Sequence, residues 1–388
     1  MKYPIGTQTF KTLIEENMVY VDKTDLVYNL VQKRICFLCR PRRFGKSLLV
    51  STLESYFKGE KDLFKGLKIE TLEKEWKQYP VFHVDFSQGD YSKPEALCNI
   101  LDGCLESWEG EYGRFFDTTI RGIRFCDVLK IAHEKTGRRC VVLIDEYDKP
   151  LRDAMTESQR SENRKILSEF YGTFKVADEH LHFVFLTGVT KFPQDSGFNQ
   201  PEDISMDPDF DALCGITKDE LVSYFDDEIA AMSAKMKCSK EEMYRRLKNQ
   251  YDGYHFTEEM TDIFNPYSVL NALNVKKLDE YWFASGTPTY LMRLLDRGKT
   301  NMQEIVSRQY EKSYFMDYKA DTEDPLAMIY QSGYLTIKGY ERVGGTYFYA
   351  LDYPNVEVKK GFTALLANDY FKMTNVQQPI ALTINKAL

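Results

Sequence analysis

ICFLCRPRRFGKSLLVSTL, Ile35 to Leu53, joins a short apolar run to an amphipathic one through a basic turn ending in Gly45-Lys46-Ser47. A strand that passes into a helix through such a turn seats a nucleoside triphosphate, because backbone N–H groups and the positive helix N-terminus face the phosphates. Arg42, Arg43, Phe44, Gly45, Lys46, Ser47 and Leu48 are then the expected phosphate-binding residues. Lys46 reaches the β- and γ-phosphates, and the Ser47 hydroxyl ligates Mg2+. The pattern G-x-x-x-x-G-K-[ST] has glycine where this chain has Arg40, so the match is incomplete. A GKS tripeptide alone equally fits a helix that begins with a basic first turn, and the rest of the chain has to decide.

The carboxylates that such a turn needs follow at Cys140-Val141-Val142-Leu143-Ile144-Asp145-Glu146. The continuous apolar run suits a parallel strand buried on both faces. Asp145 at its end falls on the carboxyl edge, where open α/β sheets bind ligands. Asp145 is the expected second Mg2+ ligand, and Glu146 the general base that polarises the attacking water. Alone, Asp145-Glu146 also fits a strand that ends in a solvated acidic turn; following a strand–GKS–helix unit, it favours nucleotide chemistry.

Val81–Phe86 and His182–Gly188 are further strand candidates, with Ile204-Ser205-Met206 as a short fifth. Helical patterns over about 93–110, 119–136 and 157–177 separate them and predict an α/β fold with a parallel sheet and right-handed crossovers. In NTPases with an additional strand between the phosphate-loop and Asp-Glu strands, a polar residue at that strand's tip senses the γ-phosphate. Thr187 is the candidate, with Thr190 or Lys191 as substitutes. Arg42 and Arg43 suit bidentate clamping of phosphate oxygens, or contact with a partner subunit or a DNA backbone. Arg152 and Arg164 are weaker candidates for a finger that stabilises transition-state charge.

Across 388 residues, 43% hydrophobic and 28% charged content describe a globular chain long enough for two or three domains. No apolar run approaches the roughly 20 residues that span a bilayer, and the N-terminus lacks the apolar core of a signal peptide. A cytoplasmic protein with no membrane partner is expected. The formal charge of −8 argues against broad, non-specific attraction to nucleic acid. Cys36-x-x-Cys39 lies on a strand, where these positions face opposite ways, so plain thiols are expected. His180-x-His182 has no third ligand close in sequence and reads as structural. After about Thr217 the character changes: 217–248 and 261–280 read as helical, Tyr334–Ile337 and Thr346–Ala350 as strands around Gly344-Gly345, and Val356–Phe371 as a final helix. The expected division is an ATPase core over 1–215, a helical lid over 216–298 and a winged-helix-like region over 299–388.

In these residues the chain resembles the AAA-ATPase-like family of bacterial P-loop ATPases. The resemblance runs in order through Tyr20-Val21-Asp22-Lys23-Thr24, Arg40-Pro41-Arg42-Arg43-Phe44-Gly45-Lys46-Ser47, Leu143-Ile144-Asp145-Glu146-Tyr147-Asp148 and Thr187-Gly188-Val189-Thr190-Lys191-Phe192. It continues through Tyr251-Asp252-Gly253-Tyr254, Phe264-Asn265-Pro266-Tyr267-Ser268, Ser285–Leu291, Gln331–Thr336 and Tyr353–Val358. The R-P-R-R-F-G-K-S form belongs to this family, so Arg40 is expected there. The resemblance implies an ATP- and Mg2+-using core, with Tyr20 and Asp22 on the adenine side and Pro288, in Gly286-Thr287-Pro288, touching the nucleotide from the lid. Relatives often carry a small-residue stretch where this chain has Pro193-Gln194-Asp195. Many also carry a C-terminal restriction-endonuclease-like nuclease that would begin beyond Leu388, where this sequence stops; a natural short member and a truncated form both fit. Asp352 and Glu357-x-Lys359 imitate a nuclease core only superficially, since Glu357 opens a helix.

The expected function is therefore ATP binding with slow hydrolysis, acting as a nucleotide-driven conformational switch. DNA or protein partners would meet the C-terminal region, and homo-oligomers fit the same scheme. The alternative is a nucleic-acid-binding or scaffold protein that holds nucleotide without significant turnover. A small-molecule kinase fits less well, because it needs neither the Asp-Glu pair nor the long C-terminal extension.

Overall fold

The computed structural model describes residues 1–191, 201–285, 302–317 and 325–370. The chain divides into two compact units, residues 1–39 with 46–205 and residues 40–45 with 206–388. Among the described residues no helix is long and apolar enough to cross a membrane.

The first unit is built on five strands: β1 (Ile35–Cys39), β2 (Val81–Asp85), β3 (Cys140–Asp145), β4 (Leu181–Gly188) and β5 (Glu202–Asp203). They run in the order β2-β3-β4-β1-β5, and every pair is parallel. All six residues of β3 are buried, which is why its sequence is apolar without alternation. At the sheet's edge, β2 alternates buried and half-buried positions. The fifth strand lies at 202–203 rather than the expected 204–206; it pairs with Cys36 and Phe37 of β1, and Ile204 follows as a buried core residue.

Helices α1 (Phe10–Glu15), α2 (Thr24–Leu30), α3 (Lys46–Phe57), α4 (Ala96–Tyr112), α5 (Arg121–Thr136), α6 (Lys149–Arg152) and α7 (Glu157–Val176) belong to the unit, with a further helical turn at Ile69–Leu72. Their apolar faces interlock through aromatic pairs. Phe57 of α3 meets Phe183 of β4 at 5.1 Å, Phe125 of α5 stacks on Phe170 of α7 at 4.5 Å, and Trp108 of α4 packs edge-on to Phe82 of β2 at 5.1 Å. Such rings stabilise by about 1.5–3 kcal/mol each when fully buried. Local signals set the helix ends: Thr156 caps α7 by accepting from the Gln159 N–H, and Gly137 closes α5 in a left-handed conformation.

In the second unit, β6 (Ile216–Thr217) pairs antiparallel with β7 (Ile263–Phe264). Thr217 and Glu220 form a capping box on α8 (Lys218–Lys235), and Ser239 caps α9 (Lys240–Tyr251). The helix expected over 261–280 is shorter, α10 (Pro266–Val275). Asn265 accepts from the Ser268 N–H and Pro266 occupies the first turn, so the helix cannot start earlier, and residues 263–264 pair with β6 instead. A three-stranded sheet runs β8-β10-β9, from β8 (Gln309–Tyr310), β9 (Thr336–Val343) and β10 (Thr346–Asp352). Gly344 and Gly345, both at positive φ, turn the chain between β9 and β10. Glu357, near the start of α11 (Val356–Tyr370), is buried and accepts from the Trp282 backbone N–H at 2.7 Å. Burial pushes its carboxyl up to about 7. Glu357 is a packed core group, at variance with any nuclease resemblance.

Gly188 stands where the first unit leaves no room for a side chain. A Cβ on Gly188, at the end of β4, would lie 2.4 Å from Asp148 Oδ1 and 2.7 Å from the Tyr147 ring. Gly188→Ala should therefore lower stability by about 1–3 kcal/mol, as overpacking does in a close-packed interior. Urea unfolding followed by circular dichroism measures it; an unchanged midpoint would show that this contact yields without penalty.

Candidate functional site

The parallel register of the first unit gathers the chemistry at one edge. β3 ends in Asp145, and its neighbour β2 ends in Asp85 directly opposite. On the other side β4 ends in Thr187-Gly188, and next to it β1 ends in Cys39, after which Lys46 and Ser47 open α3. Four elements distant in sequence thus finish together, as parallel strands must when their registers match.

At this edge Ser47 hydrogen-bonds Asp145. Burial pushes the Asp145 carboxyl up to about 6; the charges of Glu146 and Asp85 add to this, while Ser47 and Lys46 oppose it. Lys46 is only 4% exposed, and its Nζ stands 3.8 Å from Glu146 Oε1. Glu146 has a φ of 53°, in the left-handed region, and its N–H donates to Asp145 Oδ1 at 2.9 Å. The residue is thereby turned out of the strand path. A non-glycine residue in this region carries a strain of order 1 kcal/mol, which tends to occur at functional sites. Arg152 Nη2 donates to Glu146 Oε2 at 3.0 Å, and Arg152 Nη1 to Asp148 Oδ2 at 2.9 Å. Burial opposes the charge on Arg152, but the Asp148, Glu146 and Asp153 carboxylates raise its pKa.

This donor set fits Mg2+. A hydroxyl and a carboxylate are hard oxygen ligands, and Mg2+ is usually held by one or two protein groups together with substrate phosphates. A buried carboxyl with a raised pKa is also one that a cation would relieve. Among the described residues no three His, Cys, Asp or Glu side chains form a metal cluster, and this mode of binding needs none.

Other expected residues have structural partners. The Thr187 hydroxyl donates to the Leu38 carbonyl at 3.0 Å and is fully buried. Thr190 donates to Asp148 Oδ2 at 2.6 Å, and Lys191 pairs with Asp203 at 3.0 Å. Asp22 accepts from the N–H and hydroxyl of Thr24 and from the N–H of Lys68, joining the start of α2 to the residue that precedes the helical turn Ile69–Leu72. Tyr20 packs edge-on to Phe10 at 5.0 Å. Leu48, in the first turn of α3, is half-buried. His182 stacks on Tyr79 at 4.3 Å, and His180 Nδ1 meets His133 Nδ1 at 3.0 Å. Pro288 and the 192–200 loop lie outside the described residues. Sequence reasoning passed over Asp148 as a functional partner; its only signal was its place in the run Asp145-Glu146-Tyr147-Asp148.

Arg40–Gly45, the residues preceding Lys46, belong to the second unit, and there they are anchored by their side chains. Arg40, 1% exposed, lies 4.0 Å over the Phe256 ring and donates to the Phe210 carbonyl at 3.2 Å. A glycine at this position would have nothing to place there. Arg43, at a φ of 66°, stacks over Tyr267 at 4.8 Å. Trp282 Nε1 donates to the Arg42 carbonyl at 3.0 Å. Phe44 packs edge-on to Tyr254 at 4.8 Å, and its carbonyl accepts from the Gly215 N–H at 3.1 Å. Gly45, at a φ of 94°, makes the sharp turn into the helix.

Known proteins share this pattern. The profile of a family described as predicted AAA-ATPase matches residues 4–198. An uncharacterized protein from the vnfD 5′ region of Azotobacter chroococcum mcd 1 is 34% identical over 378 residues, spanning 95% of this chain and 70% of that relative. The phosphate-loop turn, the Asp-Glu strand and the strand tip beside it all fall within the matched segment, and the chain belongs to the AAA-ATPase-like family.

Proposed function

We propose that this chain is an Mg2+-dependent ATPase of slow turnover whose nucleotide state works as a conformational switch in the cytoplasm. The observation that carries the reading is the meeting of Lys46 and Ser47 with Asp145 and Glu146 at one sheet edge. Lys46, with the N–H groups of the first turn of α3, would hold the β- and γ-phosphates. Ser47 and Asp145 would hold Mg2+, which neutralises charge on the β- and γ-oxygens when bound. Glu146 would take the proton of the attacking water. Thr187 would serve as the residue beneath the γ-phosphate, with its hydroxyl oriented by Leu38. Tyr20 and Asp22 are proposed on the adenine side.

The switch reading draws on the anchoring of Arg40–Gly45. Arg40, Arg42 and Arg43, three to six residues before Lys46, are held by Phe256, Trp282 and Tyr267, so a change in the turn on nucleotide binding would be felt by those side chains. This anchoring gives the Arg43 side chain a structural role beside any contact with phosphate, while Arg42 is held through its carbonyl. The β8-β10-β9 sheet with its neighbouring helices supports a winged-helix-like region, the proposed seat of a DNA or protein partner.

Two variants test the chemistry. Lys46→Ala should abolish binding of a fluorescent ATP analogue, since it removes the one cation aimed at the phosphates from the start of α3. Glu146→Gln should bind ATP with Mg2+ as the wild type does while hydrolysis falls by about 10²–10⁴-fold, the usual contribution of a general base. Normal turnover by Glu146→Gln would refute the base assignment. A wild-type chain that binds ATP tightly yet shows no turnover, with or without DNA and across a protein concentration series, would favour the scaffold alternative.

A further inference from the structure

We propose that Arg152 is a positioning residue for hydrolysis: it holds the Glu146 carboxylate in place from a support built on the tip of β4. The inference rests on the ATPase reading and extends it to a residue which that reading does not use. Arg152 is 7% exposed and donates through Nη2 to Glu146 Oε2 at 3.0 Å and through Nη1 to Asp148 Oδ2 at 2.9 Å, while its Nε lies 3.5 Å from the half-exposed Asp153 carboxylate. Asp148 is fully buried, and β4 secures it. It accepts from the Val189 N–H at 3.2 Å, the Thr190 N–H at 2.9 Å and the Thr190 hydroxyl at 2.6 Å.

Tyr147 ties the same segment to the same tip. Its N–H donates to the Thr187 carbonyl at 3.1 Å and its hydroxyl to the Thr190 carbonyl at 2.9 Å. Gly188 permits this approach, because a Cβ there would collide with both Tyr147 and Asp148. Thr187-Gly188-Val189-Thr190 therefore acts as a rigid mount for Asp148, Asp148 orients the planar guanidinium of Arg152, and the guanidinium sets Glu146.

The direction of the effect follows from Lys46 and Arg152, two cations beside Glu146 among the described residues. Oε1 faces Lys46 Nζ at 3.8 Å while Oε2 accepts from Arg152. When Lys46 turns its charge to the phosphates of ATP, Arg152 is the cation still holding the carboxylate. A flexible glutamate without that hold would sample several rotamers, few of them in line with water and the γ-phosphate. A misplacement of about 1 Å at a reacting group reduces rate by up to about a hundredfold. Arg152 itself does not touch the phosphates in this scheme; its fork is committed to Asp148 and Glu146.

The test uses the full chain, with the dissociation constant of a fluorescent ATP analogue, thermal melting and single-turnover hydrolysis of ATP with Mg2+. Arg152→Gln should lower the hydrolysis rate by about tenfold or more while the dissociation constant stays within about threefold. Arg152→Lys, which keeps the charge but loses the fork, should fall between wild type and Arg152→Gln. In a Glu146→Gln background, either substitution at Arg152 should change the residual rate by less than about twofold, because the group it positions is already neutralised. If Arg152→Gln does not fold, Arg152→Lys alone and in the Glu146→Gln background carries the same comparison. An unchanged rate in Arg152→Lys and Arg152→Gln overturns the proposal. So does an equal loss with and without Glu146, which would mark Arg152 as a finger acting on the phosphates. Absence of turnover in the wild type overturns the ATPase reading and this proposal together.

Discussion

The Asp148 carboxylate, buried and accepting four hydrogen bonds, is the interaction on which the functional edge of the first unit depends. A buried carboxylate is tolerable only when its charge is compensated, and removing one partner of such a set typically costs about 3–5 kcal/mol. Here a guanidinium and the end of β4 compensate it. The turn after β3 is therefore not an ordinary solvated loop. It is bound to Val189 and Thr190, the residues that follow β4, and it carries Glu146, in a left-handed conformation, near Lys46.

A second constraint lies in the six residues before Lys46. In the general phosphate-loop pattern the first position is glycine, whose value is freedom from a side chain. This chain uses Arg40, and its side chain is buried against Phe256 with its charge satisfied in part by the Phe210 carbonyl. Arg43 and Phe44 likewise find aromatic partners in Tyr267 and Tyr254. The turn is shaped by side-chain anchoring where other loops rely on glycine. Arg40, Arg43 and Phe44 of the R-P-R-R-F form are thus intelligible as packing residues.

Much of this was legible before the structure. The continuous apolar run of β3 announced burial on both faces, and the acidic pair at its end announced the sheet edge. Helical stretches over 157–177 and 217–248 were expected as well; the Ser239 cap divides the second into α8 and α9. The errors have local causes. A two-residue strand such as β5 leaves no periodic signal, and the segment before Pro266 looked helical because periodicity alone does not register a proline's missing N–H. Nor does any local pattern announce the backbone partner that the Thr187 hydroxyl finds at the Leu38 carbonyl, since it arises from β4 running beside β1.

By itself, the sequence determined the parallel α/β layout, the strand–turn–helix at Gly45-Lys46-Ser47 and the identity of the acidic pair, because these reside in hydrophobic period and in residue types at short spacing. Only the tertiary structure decided which side chains support the site. Asp148, Arg152 and Thr190 are brought together by strand pairing and burial, and Arg40–Gly45 find their partners more than 160 residues away at Phe210, Phe256, Tyr267 and Trp282. Contacts of that range depend on how apolar surfaces close against one another, and no local pattern encodes them.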